Sequence, residues 1–320
     1  MKLNQIKGNT YWIRGGTNTG VYIFEDNTVL LIDTGIGGSR INKMVEILQE
    51  NKMDVKYIMT THEHEDHCGG NYQIREIYPD VIIYAPKRAK IYMENPDVYV
   101  DFLIGGRHSQ NIKSEIEKHF QGSTKVDNTV YPGEKINIKN HIFEIVDCSG
   151  HTSDGVGIKT DDDVVFLADL MVTKNSLAKF DFLFMYDYPS QIRSLENVKN
   201  IDFKYSILGH SRGVYSKSET IEIADYNYKA LVRLVEFVMD TLKEPKTIDE
   251  IIKNFIDIKK LPSYYMAYLE YRNSLNATLA FLHDLKLIEV ALEDNILKYV
   301  AIEKYDADKI KDAIMKKREK

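Results

Sequence analysis

The stretch Thr61-His62-Glu63-His64-Glu65-Asp66-His67 closely follows the apolar run Val55-Lys56-Tyr57-Ile58-Met59. It packs three imidazoles and the Asp66 carboxylate into six residues at the end of a strand-like segment. Side chains of an extended chain alternate, so His62, His64 and Asp66 are expected to share one side of the strand end. A bend into Gly69-Gly70 then swings His67 toward a second position. Imidazole and carboxylate are the ligands of zinc, iron and manganese alike, and the run reads as part of a centre for two ions.

One loop cannot fill two coordination shells of about four ligands each. Further donors stand at the C-terminal ends of other apolar runs: Asp33 after Leu30-Leu31-Ile32, His151 in Cys148-Ser149-Gly150-His151 after Ile142 to Val146, Asp169 after Val164 to Ala168, and His210 after Tyr205 to Gly209. Strand ends and the loops after them are where a rigid sheet holds a site. Five of the nine histidines fall into this ordered set, which makes chance a poor explanation.

An Asp, then His-x-His-x-Asp-His, then His, Asp and His in this order resembles the metallo-β-lactamase superfamily. The resemblance spans roughly residues 1 to 217 and implies a four-layer αβ/βα sandwich, an α/β (α+β) fold with the site at one edge of two packed sheets. Carried over residue by residue, it implies that His62, His64 and His151 hold a first metal and Asp66, His67 and His210 a second, with Asp169 bridging them. It implies two divalent ions, zinc first, with iron or manganese as alternatives. Asp33 is taken as a group that orients a ligand from behind, the competing reading being a turn residue in Asp33-Thr34-Gly35.

The chemistry implied is hydrolysis by a metal-bridging hydroxide, with Asp66 as the catalytic residue that fixes the nucleophile and collects its proton. There is no Gly-x-Ser-x-Gly elbow and no phosphate-cradling loop, which disfavours serine-hydrolase and nucleotide chemistry. The histidine loops resemble those of glyoxalase II, so a small-molecule thioester, ester or lactone is the expected substrate. A metal-dependent phosphodiesterase or ribonuclease is the alternative, and a non-catalytic winged-helix regulator stands behind both. The interval from Asp169 to His210 is too short for the extra domain of β-CASP nucleases. A flavodiiron-like role would need a flavodoxin-like domain, and none follows.

The 320 residues, 43% hydrophobic and 28% charged, match a soluble globular protein of one large or two modest domains. No apolar run is long enough for a bilayer, the start lacks an apolar signal core, and two cysteines do not make a disulfide scaffold. A cytoplasmic enzyme without membrane partners is therefore expected. Cys68 and Cys148 flank the ligand loops and read as small packing residues, with a redox thiol as the alternative.

Composition shifts near Ser218, from strand-like runs to helical periodicity, so residues 1–217 are expected as the metal-binding catalytic domain and 218–320 as a second domain. There a helix over 221–242, a capping box at Thr247 to Glu250, a long helix over 263–285 and a hairpin about Glu293-Asp294-Asn295 resemble a winged-helix module. A net charge of −6 and few basic residues in the recognition position (Arg272, Lys286) argue against nucleic-acid affinity. The apolar content of these helices points to packing on another domain or to a homodimer.

Elsewhere, Ile41, Met44, Val45 and Leu48 mark a helix, and two more are expected over 87–94 and 111–120. Arg107 and His108 between those two, Arg212 after His210, and the alternating Phe180, Phe182, Phe184, Tyr186 and Tyr188 are candidate substrate contacts. A solvated loop for the first two, an ion pair for Arg212, and a half-buried strand or loop for the aromatics are the ordinary alternatives.

Overall fold

Along Val29-Leu30-Leu31-Ile32 every side chain is buried, but in two different places. Val29 and Leu31 enter a core shared with Ile41, Met44, Val45 and Leu48, whereas Leu30 and Ile32 enter one shared with Phe143, Ile158 and Val164. A strand buried on both faces must be apolar at every position, because alternate residues point to opposite sides. The same splitting holds for Val164, Val165, Phe166 and Leu167, whose odd members face a third core. Three cores between four layers follow, helix on sheet on sheet on helix.

A computed structural model describes residues 1–107, 109–110, 122–180 and 184–302. The first sheet runs in chain order: β1 (Leu3–Lys7), β2 (Thr10–Ile13), β3 (Thr19–Ile23), β4 (Thr28–Ile32), β5 (Asp54–Met59), β6 (Ile82–Pro86) and β7 (Asn128–Val130). It begins as an antiparallel meander and turns parallel from β4 onward. Helix α1 (Ser39–Glu50) makes the crossover and buries Ile41, Met44, Val45 and Leu48, the spacing read from sequence. The second sheet has the order β13-β12-β11-β10-β9-β8, formed by β8 (Lys135–Ile138), β9 (His141–Asp147), β10 (Val156–Lys159), β11 (Val164–Phe166), β12 (Tyr205–Ile207) and β13 (Tyr215–Ser216).

Short helices α2 (Glu65–Cys68) and α3 (Asn71–Ile77) follow β5, and α4 (Lys87–Glu94) follows β6. Helix α5 (Pro96–Ile104) was not anticipated. Its signals are local: Pro96 in the first turn and Gly105 closing it at φ 75°. The helix expected over 111–120 and His108 lie outside the described residues. Of the aromatic stretch, Phe180 is the last residue of α6 (Lys174–Phe180), Tyr188 is the first of α7 (Tyr188–Asn197), and residues 184–187 between them are in no strand. Phe182 and the Phe180 side chain fall outside the description.

Helix α8 (Lys217–Thr241) starts at a capping box of Ser216 and Glu219, and α9 (Ile248–Lys259) at the expected one of Thr247 and Glu250. Helix α10 (Tyr265–Asp284) leads into a hairpin of β14 (Ile288–Glu293) and β15 (Ile296–Ala301). Asp294 and Asn295 both take positive φ, as a two-residue hairpin turn requires. Much of the apolar surplus of these helices is buried on the sandwich: Val235, Val238, Phe255, Leu275 and Leu282 share one core with Val146, Leu167 and Leu208 of the second sheet.

Candidate metal centre

The parallel strands β4 and β5 end side by side, as do β11 and β12. Asp33 leaves β4 in the left-handed region, φ 56°, which a short polar side chain tolerates. Its Oδ1 accepts the Thr61 N–H at 2.8 Å, and its Oδ2 accepts the Thr61 hydroxyl at 2.7 Å and lies 2.8 Å from His67 Nδ1. One carboxylate thus pins the start of the histidine loop to its end.

The alternation expected for His62, His64 and Asp66 stops at His64. His64 caps α2, so Asp66 and His67 sit on a helical turn and not on a strand. That turn carries Asp66 away from His62 and His64 and brings it to His210, with 3.1 Å between His210 Nε2 and Asp66 Oδ2. The acidic residues at the helix start suit its N-terminal dipole.

Three overlapping groups result, each with its ligand atoms within 4.8 Å of one another: His62, His64 and His151; His62, His67 and Asp169; Asp66, His67 and His210. Asp169 lies between the outer two, with Oδ2 3.7 Å from His151 Nε2 and 3.1 Å from His210 Nε2, and Oδ1 3.3 Å from His67 Nε2. The other ring nitrogens are anchored. His151 Nδ1 lies 2.7 Å from the Phe184 carbonyl, His210 Nδ1 2.8 Å from the Gly16 carbonyl, and His62 Nδ1 3.0 Å from the Thr61 hydroxyl. Anchoring one nitrogen aims the other inward. Gly209 is a steric necessity, since a Cβ there would meet Asp169 Oδ1 at 2.1 Å.

The donors fit divalent ions. His62 Nε2, His67 Nε2 and Asp169 Oδ1 are buried without a hydrogen-bond partner, an arrangement that costs about 1–3 kcal/mol per group unless a ligand completes it. Burial holds His62 well below the ordinary imidazole pKa and lowers His64 to about 3. Burial also lowers His151. These three rings are neutral, with lone pairs to donate. Around the acids the balance reverses: the Asp169 carboxylate raises His210 to about 11, and although burial opposes charge on His67, Asp169, Asp66 and Asp33 together raise it to about 10. Burial works against ionising Asp66 and Asp169, but the facing His67 and His210 outweigh it and hold both below the usual carboxylate range.

Several contributors carry no sequence signal that was read. Thr17, on the β2–β3 loop, donates its hydroxyl to Asp66 Oδ2 at 2.8 Å, and Asn18 ties that loop to the Leu208 and Ser211 carbonyls. The glycine pair before them, Gly15-Gly16, was the available clue. From α10, the buried Ser274 hydroxyl accepts the Met185 N–H at 3.0 Å, next to the carbonyl that holds His151. One turn earlier, Glu270 is raised to about 6 by loss of water and by the charge of Asp66.

Burial pushes the thiols of Cys68 and Cys148 up, and the Cys68 Sγ donates to the Glu63 carbonyl. Neither belongs to a ligand group among the described residues. Arg107 and Arg212 are exposed, whereas Phe184 packs against His64 and His151. Tyr188 is buried and stacks on Phe281.

Among proteins of known identity, the chain is similar to hydroxyacylglutathione hydrolase 1 of Vibrio vulnificus (strain YJ016), 19% identical over 71% of this chain and 76% of that one. It is also similar to the lactamase-like protein aptB of Emericella nidulans, 25% identical over 73% of this chain and 77% of that one. Among solved structures, a beta-lactamase domain protein from Burkholderia ambifaria superposes with a TM-score of 0.70 at 13% identity, covering 93% of both chains. A metallo-beta-lactamase family protein from Thermus thermophilus gives 0.68 at 16% identity, over 92% of this chain and 98% of that one. These last two share the fold. The family model of the metallo-beta-lactamase superfamily matches residues 12–210, a span that begins in β2 and ends on His210, and the chain belongs to that superfamily.

Proposed function

We propose that this metal-dependent hydrolase works with two ions, on a small-molecule thioester or a related ester or lactone. The observation that carries the reading is the overlap of the three ligand groups. His62 belongs to the first two and His67 to the last two, so the donors form one continuous centre instead of scattered sites. Two divalent ions in such a centre, about 3.5–4 Å apart in dinuclear hydrolases, supply hydroxide at neutral pH and polarise the attacked oxygen.

The chain's own residues do the rest. His62, His64 and His151 would hold the first ion and Asp66, His67 and His210 the second, with Asp169 placed to serve both. Asp33 fixes the ring of His67 through Nδ1, and Thr17 with His210 holds Asp66 Oδ2. Asp66 is the half-exposed carboxylate of the set and would take the proton that the attacking water gives up and return it to the sulfur or oxygen that leaves as the acyl bond breaks. The thioester preference rests on similarity to a hydroxyacylglutathione hydrolase together with an intact donor set. Zinc is the first choice of metal, since imidazole and carboxylate suit it and leave positions open for substrate. No helix among the described residues is long and apolar enough to cross a membrane.

The second reading, a phosphodiesterase or ribonuclease, uses the same ions. The net charge of −6 disfavours it, because counterion release from phosphates drives such binding. Elemental analysis of metal-loaded protein is expected to give about two ions per chain, and His210→Ala about one. Hydrolysis of thioesters, lactones, β-lactams, phosphodiesters and RNA with zinc, manganese and iron forms then separates the substrates. A wild-type stoichiometry of one, unchanged by His210→Ala, overturns the two-ion reading; phosphodiester turnover without thioester turnover overturns the substrate.

A further inference from the structure

In the first ligand group His62 and His151 are buried, whereas His64 is half-buried and meets a line of aromatic rings. Tyr99 and Phe184 stand over His64, with ring centres 5.9 and 5.5 Å from the imidazole, and Phe184 also lies 5.6 Å from His151. From Tyr99 the line continues outward to Tyr92 at 5.5 Å and Phe102 at 6.5 Å, and from Phe102 to Tyr186 at 6.0 Å. At the outer end Arg88 donates to the Tyr186 hydroxyl at 3.3 Å and lies over its ring.

These rings are not core residues left over from folding. On α5, Val100 and Leu103 are buried, while Tyr99 and Phe102, three apart on the neighbouring face, line the approach to His64. Phe102 remains 42% exposed and Tyr186 36%, although burying an aromatic ring is among the larger gains open to a fold. A contiguous exposed apolar surface on a monomer marks a binding site, and one that starts at the reacting group of a hydrolase has an obvious occupant.

We propose that Tyr99, Phe184, Tyr92, Phe102 and Tyr186 form the subsite for a flat apolar group of the substrate, so that the bond presented to the metal centre belongs to an aryl-bearing ester or thioester. The proposal rests on the hydrolase reading for its chemistry but on the rings alone for its location. An aryl group gains offset or edge contacts with successive rings, whereas an acetyl group reaches only Phe184 and Tyr99. Selection by such a wall is a matter of apolar contact, worth roughly tenfold to a hundredfold between substrates.

The test compares S-(2-naphthoyl) and S-acetyl thioesters of N-acetylcysteamine on metal-loaded full-length protein, with 2-naphthoate binding to the metal-free chain followed by fluorescence. Wild type should favour the naphthoyl ester by roughly tenfold or more in kcat/KM, and Phe102→Ala and Tyr186→Ala should each cut that ratio several-fold. Ile258→Ala, at a 66% exposed position of α9, should leave the ratio as it is. Binding of 2-naphthoate should weaken in the same two variants. A ratio near one in wild type, or unchanged ratio and binding in both variants, overturns the subsite. If neither thioester turns over but 2-naphthoate binding still depends on Phe102 and Tyr186, the subsite stands and the thioester reading falls.

Discussion

Asp33 shows how much one side chain can organise. It takes no place in any of the three ligand groups, yet its two oxygens accept from the Thr61 backbone and hydroxyl and hold His67 Nδ1. Asn at this position tolerates the same left-handed backbone and nearly the same volume, so Asp33→Asn removes the charge without straining the turn. With its oxygen still accepting the Thr61 N–H, the amide places a donor-only NH2 where Oδ2 was, which can accept from neither the Thr61 hydroxyl nor His67, and the ring of His67 loses its anchor. We expect metal affinity to fall about 10- to 100-fold, the usual cost of losing a group that orients a ligand. Competition with a chromophoric chelator measures it. A change below about twofold would make Asp33 a turn residue only. Of the residues the structure brings together, His62, His151, Asp169 and His210 were legible in sequence because each follows an apolar run, and His64, Asp66 and His67 because they crowd one loop; Thr17 and Ser274 were not, because a lone hydroxyl has no pattern until the fold brings it to its partner.

At the level of elements, legibility followed periodicity. Helix α1 and the hairpin β14–β15 were read correctly, the one from four apolar residues at helical spacing and the other from its Asp294-Asn295 turn. The ligand loop was read as extended and is partly helical, since α2 is four residues long and too short to show a period. Alternate aromatics over 180–188 left strand and loop open, because alternation alone does not fix the backbone; among the described residues Phe180 ends α6, Tyr188 begins α7 and 184–187 take no regular structure. That segment is held by α10. Ser274→Ala leaves the buried Met185 N–H without its acceptor, which should cost about 1–3 kcal/mol of stability and loosen the Phe184 carbonyl on His151. Chemical denaturation and a metal titration check the two effects separately. Stability lost with metal affinity unchanged would mean that α10 only buttresses the loop.

On the scale of the molecule, the helices beyond residue 217 raise the question of whether they form an independent unit. The division at 217/218 suggested by composition falls inside the first turn of α8, one residue past its start at Lys217, and α8 packs on α7 and β12 as the outer layer of the sandwich. Its core continues through Phe255 of α9 and Leu275 of α10 without a break. A shared core couples the parts thermodynamically, because neither can open without exposing the apolar face of the other. Leu275 is fully buried there, and Leu275→Ala should destabilise by about 2–5 kcal/mol. The single tryptophan gives the readout: Trp12 lies between the two sheets, in a different core. If the chain unfolds as one cooperative body, Trp12 fluorescence and far-UV circular dichroism shift together to lower denaturant in Leu275→Ala. Separate units give a different result, an early loss of helical signal with the Trp12 midpoint where it is in wild type. That outcome would detach α9 and α10 from the catalytic body and leave Ser274 without a means of acting on His151.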